Sequence, residues 1–487
     1  MWREHFIIED DLLELSLTNL TPYEVLKTSG HVDKFSDFMV KDVKSGACYR
    51  ADKIIEEVLE KQLEKEKDKM TEEQRKTMAE AIAKAGNFHA DEINKCIKQF
   101  NIKNPETGNE FSEAFPFNLM FGTEIGPTGT VKGFLRPETA QGIFVNFRKM
   151  LEYSGGRLPF GGATIGLGFR NEIAPRSGLL RVREFQLAEI EFFVDPENKK
   201  HSKFANYKDF KLPLFSADIQ EAQGQPRTDL TIGQAVEQKI INNETLAYFI
   251  IRTFLFLRRC GIEESGIRFR QHLKTEMAHY ASDCWDAEVL TSYGWIECVG
   301  IADRACFDLT QHAVATKQEM VAARKFSKPT LVKIIKTNLN KAAIGKSEYK
   351  TSFKAINDYV EGLSDDKKRE IQEKLTKDGE YVAAINENLN VKFTKDMLSF
   401  EEKEQNVMEQ KYTPHVIEPA FGLGRILYCI FEHRFRMRNE RRTYLSLPAK
   451  LAPYKTSILP VVAHSDFAPI IQKISKLTLS LWDLSFF

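Results

Sequence analysis

What this 487-residue chain lacks already narrows its function. No stretch holds the roughly 20 consecutive apolar residues that a helix needs to cross a bilayer, so no membrane span is expected. The opening MWREHFIIEDDLLEL sets acids where a secretory leader needs an apolar run, which predicts a chain that is not exported. The seven cysteines, at 48, 96, 260, 284, 298, 306 and 429, are odd in number and form no Cys-x-x-Cys pair. Free thiols in a reducing, cytosolic or organellar compartment fit that usage.

Net charge is also missing, since 69 basic side chains balance 69 acidic ones. A polyanionic partner would have to be held by a local patch. The run from Lys317 to Lys354 is one candidate, with ten Lys or Arg against Glu319 and Glu348. A solvated surface and a nucleic-acid contact are equally good readings of it. The run EEVLEKQLEKEKDKMTEEQRK mixes both signs at helical spacing and reads as a solvated helix.

Three familiar motifs are incomplete. Gly345-Lys346-Ser347 resembles the end of a phosphate-binding loop, but Asn340 stands where its first glycine belongs. Gly422-Leu-Gly424 lacks the third glycine of a dinucleotide fingerprint. His279, Cys284, Cys306 and His312 have no standard zinc spacing, so no zinc is expected.

What is present divides the chain into six segments. Residues 1–50 open a catalytic body, 51–110 read as a charged helical insertion with a capping box at 71–74, and 111–315 are rich in Phe, Gly and strand-forming runs. A Lys-rich insertion covers 316–395, and 396–447 returns to the body with a strand, a Gly turn and a helix whose face is marked by 426, 427, 430 and 431. In 448–487, LAPYKTSILPVV reads as a strand and DFAPIIQKISKLTLSLW as a helix. Together they are too short for a core of their own and look like the start of a shortened domain. AVEQKIINNETLAYFIIRTFLFLRR reads as one long helix.

The chemistry concentrates in GFRNEIAPRSGLLRVREFQLAEIEFF, which sets four arginines and four glutamates around a Pro175 to Gly178 turn carrying Arg176. Alternation along the first strand puts Ala163, Ile165, Leu167 and Phe169 on a core face, with Thr164, Gly166, Gly168, Arg170 and Glu172 opposite. Interior glycines leave room for a close approach, and Arg170 offers a planar donor fork to phosphate or carboxylate. On the return strand Arg181, Arg183, Phe185, Leu187, Glu189 and Glu191 share a face. Two cations, an aromatic ring and two carboxylates in that order match a nucleotide followed by a cationic group. A salt-bridged hairpin with no ligand is the competing reading.

FRNE, a loop and Arg181-x-x-x-Phe185 resemble motif 2 of class II aminoacyl-tRNA synthetases, and GLGR at 422–425 resembles motif 3. With KTSGHVDKFSDFMVKD, LRPETAQGIFVNF, EMAHYASDCWDAE, TSYGWIECVGIADRACFDLTQH and VIEPAFGLGR, the ordered set resembles the eukaryotic-type glycyl-tRNA synthetase family along nearly the whole chain. The resemblance implies an α+β fold, a six-stranded antiparallel sheet flanked by helices, with helical insertions and the start of an α/β anticodon-binding domain. It implies ATP with Mg²⁺, glycine and tRNA(Gly) as ligands, formation of glycyl-adenylate, transfer to tRNA, and diadenosine tetraphosphate synthesis as a side activity. By the same resemblance, catalysis would fall to Arg170 and Arg425. ATP would meet Arg170, Asn171, Glu172, Arg181, Val182, Phe185, Glu297, Cys298 and Arg425, with Glu297 also facing Mg²⁺. Glycine would meet Glu138, Glu189, Arg304, Glu418, Pro419 and Ala420. Cytoplasmic use follows, with mitochondrial use beside it.

The sequence departs from the family in three places. Ala420 stands where the family usually has Ser, which removes one polar contact worth about 0.5–1.5 kcal/mol. GGATIGLGFRNE replaces AAAQIG-SFRNE before motif 2. Only the tail of motif 1, MWREHFI, is present, which weakens the expectation of a homodimer, and the anticodon domain stops early. The rival readings are a weakened synthetase-like binding protein or non-functional fragment, and a class II ligase for another small amino acid such as serine.

Overall fold

The computed structural model describes residues 1–483 except 67–69, 174, 176, 278–280, 362, 364, 387–388, 456 and 463. Two compact units form: one from residues 1–150, 159–308 and 415–487, the other from 151–158 and 309–414.

The first unit is built on a sheet of eight strands: β1 (Leu13–Glu14), β2 (Phe160–Phe169), β3 (Glu184–Val194), β4 (Leu214–Phe215), β5 (Ile267–Gln271), β6 (Asp283–Thr291), β7 (Gly294–Ala305) and β8 (His415–Gly422). Their order is β1-β2-β3-β8-β7-β6-β5-β4. The six central strands are antiparallel throughout, as the family resemblance implies. Each edge carries one additional two-residue strand in parallel pairing, β1 on β2 and β4 on β5.

Helix α1 (Ala140–Val145) follows the RPET turn, α2 (Glu244–Arg259) packs against β6, β7 and β8, and α3 (Leu423–Arg434) leaves the end of β8. Helix α2 is buried almost all round, from Leu246 to Leu257. The long helix expected from Ala235 to Arg259 is in fact two, Ile232–Glu237 and α2. Lys239 takes a left-handed φ of 58°, which ends the first, and the Asn243 side chain accepts from Leu246 N–H at 2.9 Å to start the second. The N-terminal MWREHFI docks on the same core, with the Phe6 ring 4.9 Å from Phe421 and Trp2 5.7 Å from Phe421.

Helices Ala51–Glu66, Glu72–Lys84 and Ala90–Gln99 have a small core of their own around Ile55, Leu59 and Ile93. The capping box at Thr71 and Gln74 is present. Helix α3 buries Ile426, Cys429 and Ile430, whereas Leu427 and Phe431 are exposed, so its inner face is turned from the expected one. No strand forms among the described residues of 451–462, where Pro453 and Pro460 remove backbone donors. The helix after it does form, Phe467–Asp483.

In the second unit a long antiparallel ribbon pairs Ala322–Leu339 with Leu398–Tyr412. Helices Phe353–Glu361 and Asp365–Asp378 and the hairpin Glu380–Asn386/Leu389–Thr394 share a core with Ile356, Ile371 and Phe393. The register sets Lys325 opposite Glu409 and Lys336 opposite Glu401. The basic excess of Lys317 to Lys354 is therefore offset, along the ribbon, by an acidic partner strand that lies far away in sequence.

Candidate functional site

The β2–β3 hairpin pairs Gly168 with Phe185, Gly166 with Leu187 and Thr164 with Glu189. The glycines do permit a close approach, and the chain itself supplies part of it. A Cβ on Gly166 would collide with the Arg136 guanidinium, and one on Gly168 would sit 2.6 Å from the Phe185 ring. Arg181 and Arg183 lie outside the strand, which begins at Glu184 after a 3-10 turn, Gly178–Leu180. Ser177, with φ of 59°, breaks the alternation there. Arg176 and His279 fall outside the described residues.

Arg170 is held between two aromatic rings, its guanidinium carbon 5.3 Å from the Phe35 centroid and 5.4 Å from Phe185. Its Nε donates to Pro137 O at 3.3 Å. A flat cation between two flat π faces keeps its fork aimed along the cleft. Arg425, in the first turn of α3, donates to Glu297 O at 2.8 Å and to Leu180 O at 3.3 Å. The cleft between these groups encloses about 570 Å³ and includes Glu172, Arg181, Val182, Phe185, Glu297 and Cys298 in its wall. Asn171 is not in that wall; its N–H donates to Leu119 O at 2.7 Å. The Cys298 thiol lies 3.6 Å from the buried Cys429 thiol of α3.

The inner end of the cleft is acidic. Glu189, on β3, accepts from the Thr139 N–H at 2.8 Å and from the Thr139 hydroxyl. Glu138 faces His31 at 3.2 Å and accepts from Gln141 at 3.0 Å. Glu418, on β8, is gripped by Arg304. Arg304 is 1% exposed and is bidentate to Asp308, at 2.7 and 2.9 Å. It lies outside the cleft wall, behind Glu418, as does Pro419; Ala420 is in the wall, directly opposite Glu189. Glu189, Glu191 and Glu418 bring carboxylate oxygens within 4.8 Å of one another.

Charge crowding and burial set the protonation of this end. Burial pushes the Glu189 carboxyl well above the usual carboxylate range, with Glu418 and Glu138 adding to it. Burial and then Glu418 do the same to Glu191, both of whose oxygens are buried without a hydrogen-bond partner among the described residues. Burial also raises Glu418, against the pull of Arg304. Glu138 goes the other way: burial opposes it, but His31, Arg304 and Gln141 bring it below the usual range. Such a pocket is short of positive charge and suits an ammonium.

Sequence reasoning singled out the carboxylates but missed their supports, Arg136, Thr139, Gln141, His31 and Asp308. Each stands in a quoted motif; Arg136, Thr139 and Gln141 lie within three residues of Glu138 and Asp308 four residues after Arg304, whereas His31 has no named site residue near it in sequence. Cys284 keeps company with His272 and Asp286, in a hydrogen-bonded group where Asp286 accepts from His272 at 2.8 Å. Glu297, about half exposed at 54%, offers a hard oxygen donor at the cleft mouth that fits an Mg²⁺ retaining water and phosphate ligands.

Residues 130–434 match the tRNA synthetase class II core domain (G, H, P, S and T). The chain is 47% identical over all of its length to a glycine–tRNA ligase of Caenorhabditis elegans, of which it spans 65%. It is 46% identical over 98% of its length to glycine–tRNA ligase 2 of Saccharomyces cerevisiae, of which it spans 77%, and 43% identical to the same organism's glycine–tRNA ligase 1, mitochondrial, of which it spans 74%. The chain belongs to the glycine–tRNA ligase family. It spans somewhat less than two thirds of the animal relatives it matches. The strand that ends in GLGR, β8, pairs with β3, the return strand of the FRNE hairpin, so the two stretches meet in the sheet.

Proposed function

We propose that this protein activates glycine with ATP and passes the glycyl group to tRNA(Gly). One observation carries the reading: a single cleft runs from Arg170, Arg181 and Arg425 past the Phe185 ring to an acidic end walled by Glu138, Glu189 and Glu418. The arginines suit a triphosphate, the ring a purine, and the carboxylates an ammonium. Arg170 takes the α-phosphate, Arg181 and Arg425 the outer phosphates, and Glu172, Val182 and the Cys298 backbone border the base. Glu138, Glu189 and Glu418 crowd the amino-acid end, so any substrate with a Cβ would be rejected by bulk.

A glycine carboxylate oxygen attacks the α-phosphorus, and pyrophosphate leaves with the electron pair of the broken P–O bond. A ribose hydroxyl of tRNA then attacks the glycyl carbonyl, and AMP leaves. Placement and charge stabilisation by the arginines supply the catalysis, with no protein nucleophile. Mg²⁺ held near Glu297 would screen phosphate charge. Capture of the adenylate by a second ATP would give diadenosine tetraphosphate. The homodimer and the cytoplasmic and mitochondrial use that the family implies belong to the same proposal.

Glycine-dependent ATP/pyrophosphate exchange tests the chemistry, and sizing in the same preparation tests the dimer. Exchange is expected with glycine and not with alanine or serine. No exchange at saturating glycine would reject the enzyme reading.

A further inference from the structure

A second charged surface lies at the far end of α3, away from the cleft. The helix runs straight into a two-stranded hairpin, β9 (Phe435–Asn439) and β10 (Arg442–Leu445), whose strands, among the described residues, pair only with each other. Between residues 434 and 445 stand five arginines and one acid, Glu440. In a chain of zero net charge this is a concentrated basic site.

The arginines fall into two sets. Arg434 donates to Gly261 O, and Arg436 pairs with Glu263 at 2.7 Å, so these two fasten the hairpin to the body. Arg438, Arg441 and Arg442 are exposed and have no ion pair among the described residues. The register opposes Arg436 to Tyr444, and the Arg438 guanidinium lies 5.9 Å from the Tyr444 ring, which is itself 46% exposed. The result is an aromatic platform bordered by unneutralised cations. Unlike the Lys-rich ribbon, it has no acidic strand opposite it.

We infer that the β9–β10 hairpin is an RNA-backbone contact that holds the tRNA substrate outside the cleft, with Arg438, Arg441 and Arg442 on phosphates and Tyr444 against an unpaired base or a ribose face. Charge complementarity selects a polyanion, and exposed Tyr beside Arg is the composition that stacks on single-stranded bases. Helix α3, about 18 Å long at 1.5 Å per residue, sets the hairpin within reach of a strand whose end occupies the cleft. The inference rests on the proposed tRNA substrate.

The test is binding of an in vitro transcript of tRNA(Gly) to the full chain between 50 and 300 mM KCl. The Arg438→Ala/Arg441→Ala/Arg442→Ala variant should raise Kd at least tenfold at low salt and flatten the log Kd against log salt slope by about 2–3, about one per phosphate contact. Lysine at the same three positions should keep the slope, and Tyr444→Ala should weaken binding several-fold at every salt without changing the slope. Glycine-dependent exchange should be unchanged in all of them, which also shows that they fold. Equal Kd and slope for the triple alanine variant and the parent would overturn the inference; a lysine variant as flat as the alanine one would overturn its electrostatic basis. If the unsubstituted protein shows no exchange, the proposed function fails while the binding comparison still decides the hairpin.

Discussion

The guanidinium of Arg136 occupies the space that a Cβ on Gly166 would need. Arg136 is buried, donates from Nε to Leu167 O at 2.8 Å, and lies within the field of Glu189. Gly166→Ala should therefore displace a buried cation whose charge acts on Glu189, the glutamate that we assign to the ammonium. The expected cost is about 1–3 kcal/mol in urea unfolding, with a higher KM for glycine and little change in KM for ATP. Equal rises in both would mean that the hairpin as a whole had shifted.

Arg304 holds Asp308 and Glu418 together in the interior. Replacing it with Met strands two buried carboxylates, which should cost about 3–5 kcal/mol. A loss under 1 kcal/mol in chemical denaturation would show that the arginine does not tie these two acids to the fold.

Arg170 is planar and sandwiched, so charge alone does not replace it. Arg170→Ala should reduce exchange by about 10²–10³-fold, the scale for losing one group that stabilises transition-state charge. Arg170→Lys should recover only a small part, because an ammonium neither forks to phosphate nor stacks between Phe35 and Phe185. Full activity in the lysine variant would contradict the role given to the rings.

Ala420 faces Glu189 across the β3–β8 pair. Ala420→Ser adds a hydroxyl that can donate into the acidic end. Glycine KM should fall by up to about tenfold, equivalent to 0.5–1.5 kcal/mol for a neutral hydrogen bond. Steady-state exchange at varied glycine measures it, and a raised KM would count against the assignment of this strand.

Burial keeps Glu191 protonated above the usual carboxylate range, whereas in the unfolded chain it ionises normally. Between the ordinary value and the raised one the native state binds the extra proton, so stability falls as pH rises. Glu191→Gln removes this slope, and its melting temperature should gain on that of the parent from pH 5 to pH 8. Parallel curves would show that Glu191 is ionised in the folded protein. An ammonium ligand should reverse the effect by favouring the charged carboxylates, so glycine should bind with proton release.

Alternation exposed the β2–β3 ligand face because side-chain direction in a strand is a local property. The period could not see where the strand began: Ser177 and the turn after it put Arg181 and Arg183 beyond its reach. Helical spacing likewise ran past Lys239 and Asn243, whose effects depend on one backbone torsion and one cap. The least legible parts were the partners of the acids. Thr139 meets Glu189, and Arg304 joins Asp308 to Glu418, across separations that only the folded sheet closes. The offset of the Lys-rich run by the strand Leu398–Tyr412 was hidden for the same reason.

Strand β8 passes into α3 without an intervening loop, so Glu418, Ala420 and Arg425 sit on one unbroken length of chain. On the proposed function, that length would be a ruler laid between the two substrates. It would fix how far an amino group can stand from a phosphate, and an amino acid would be judged partly by whether its carboxylate arrives at the right mark. Changes that widen the acidic end to admit a larger side chain would slide the ruler, and the nucleotide would register the error.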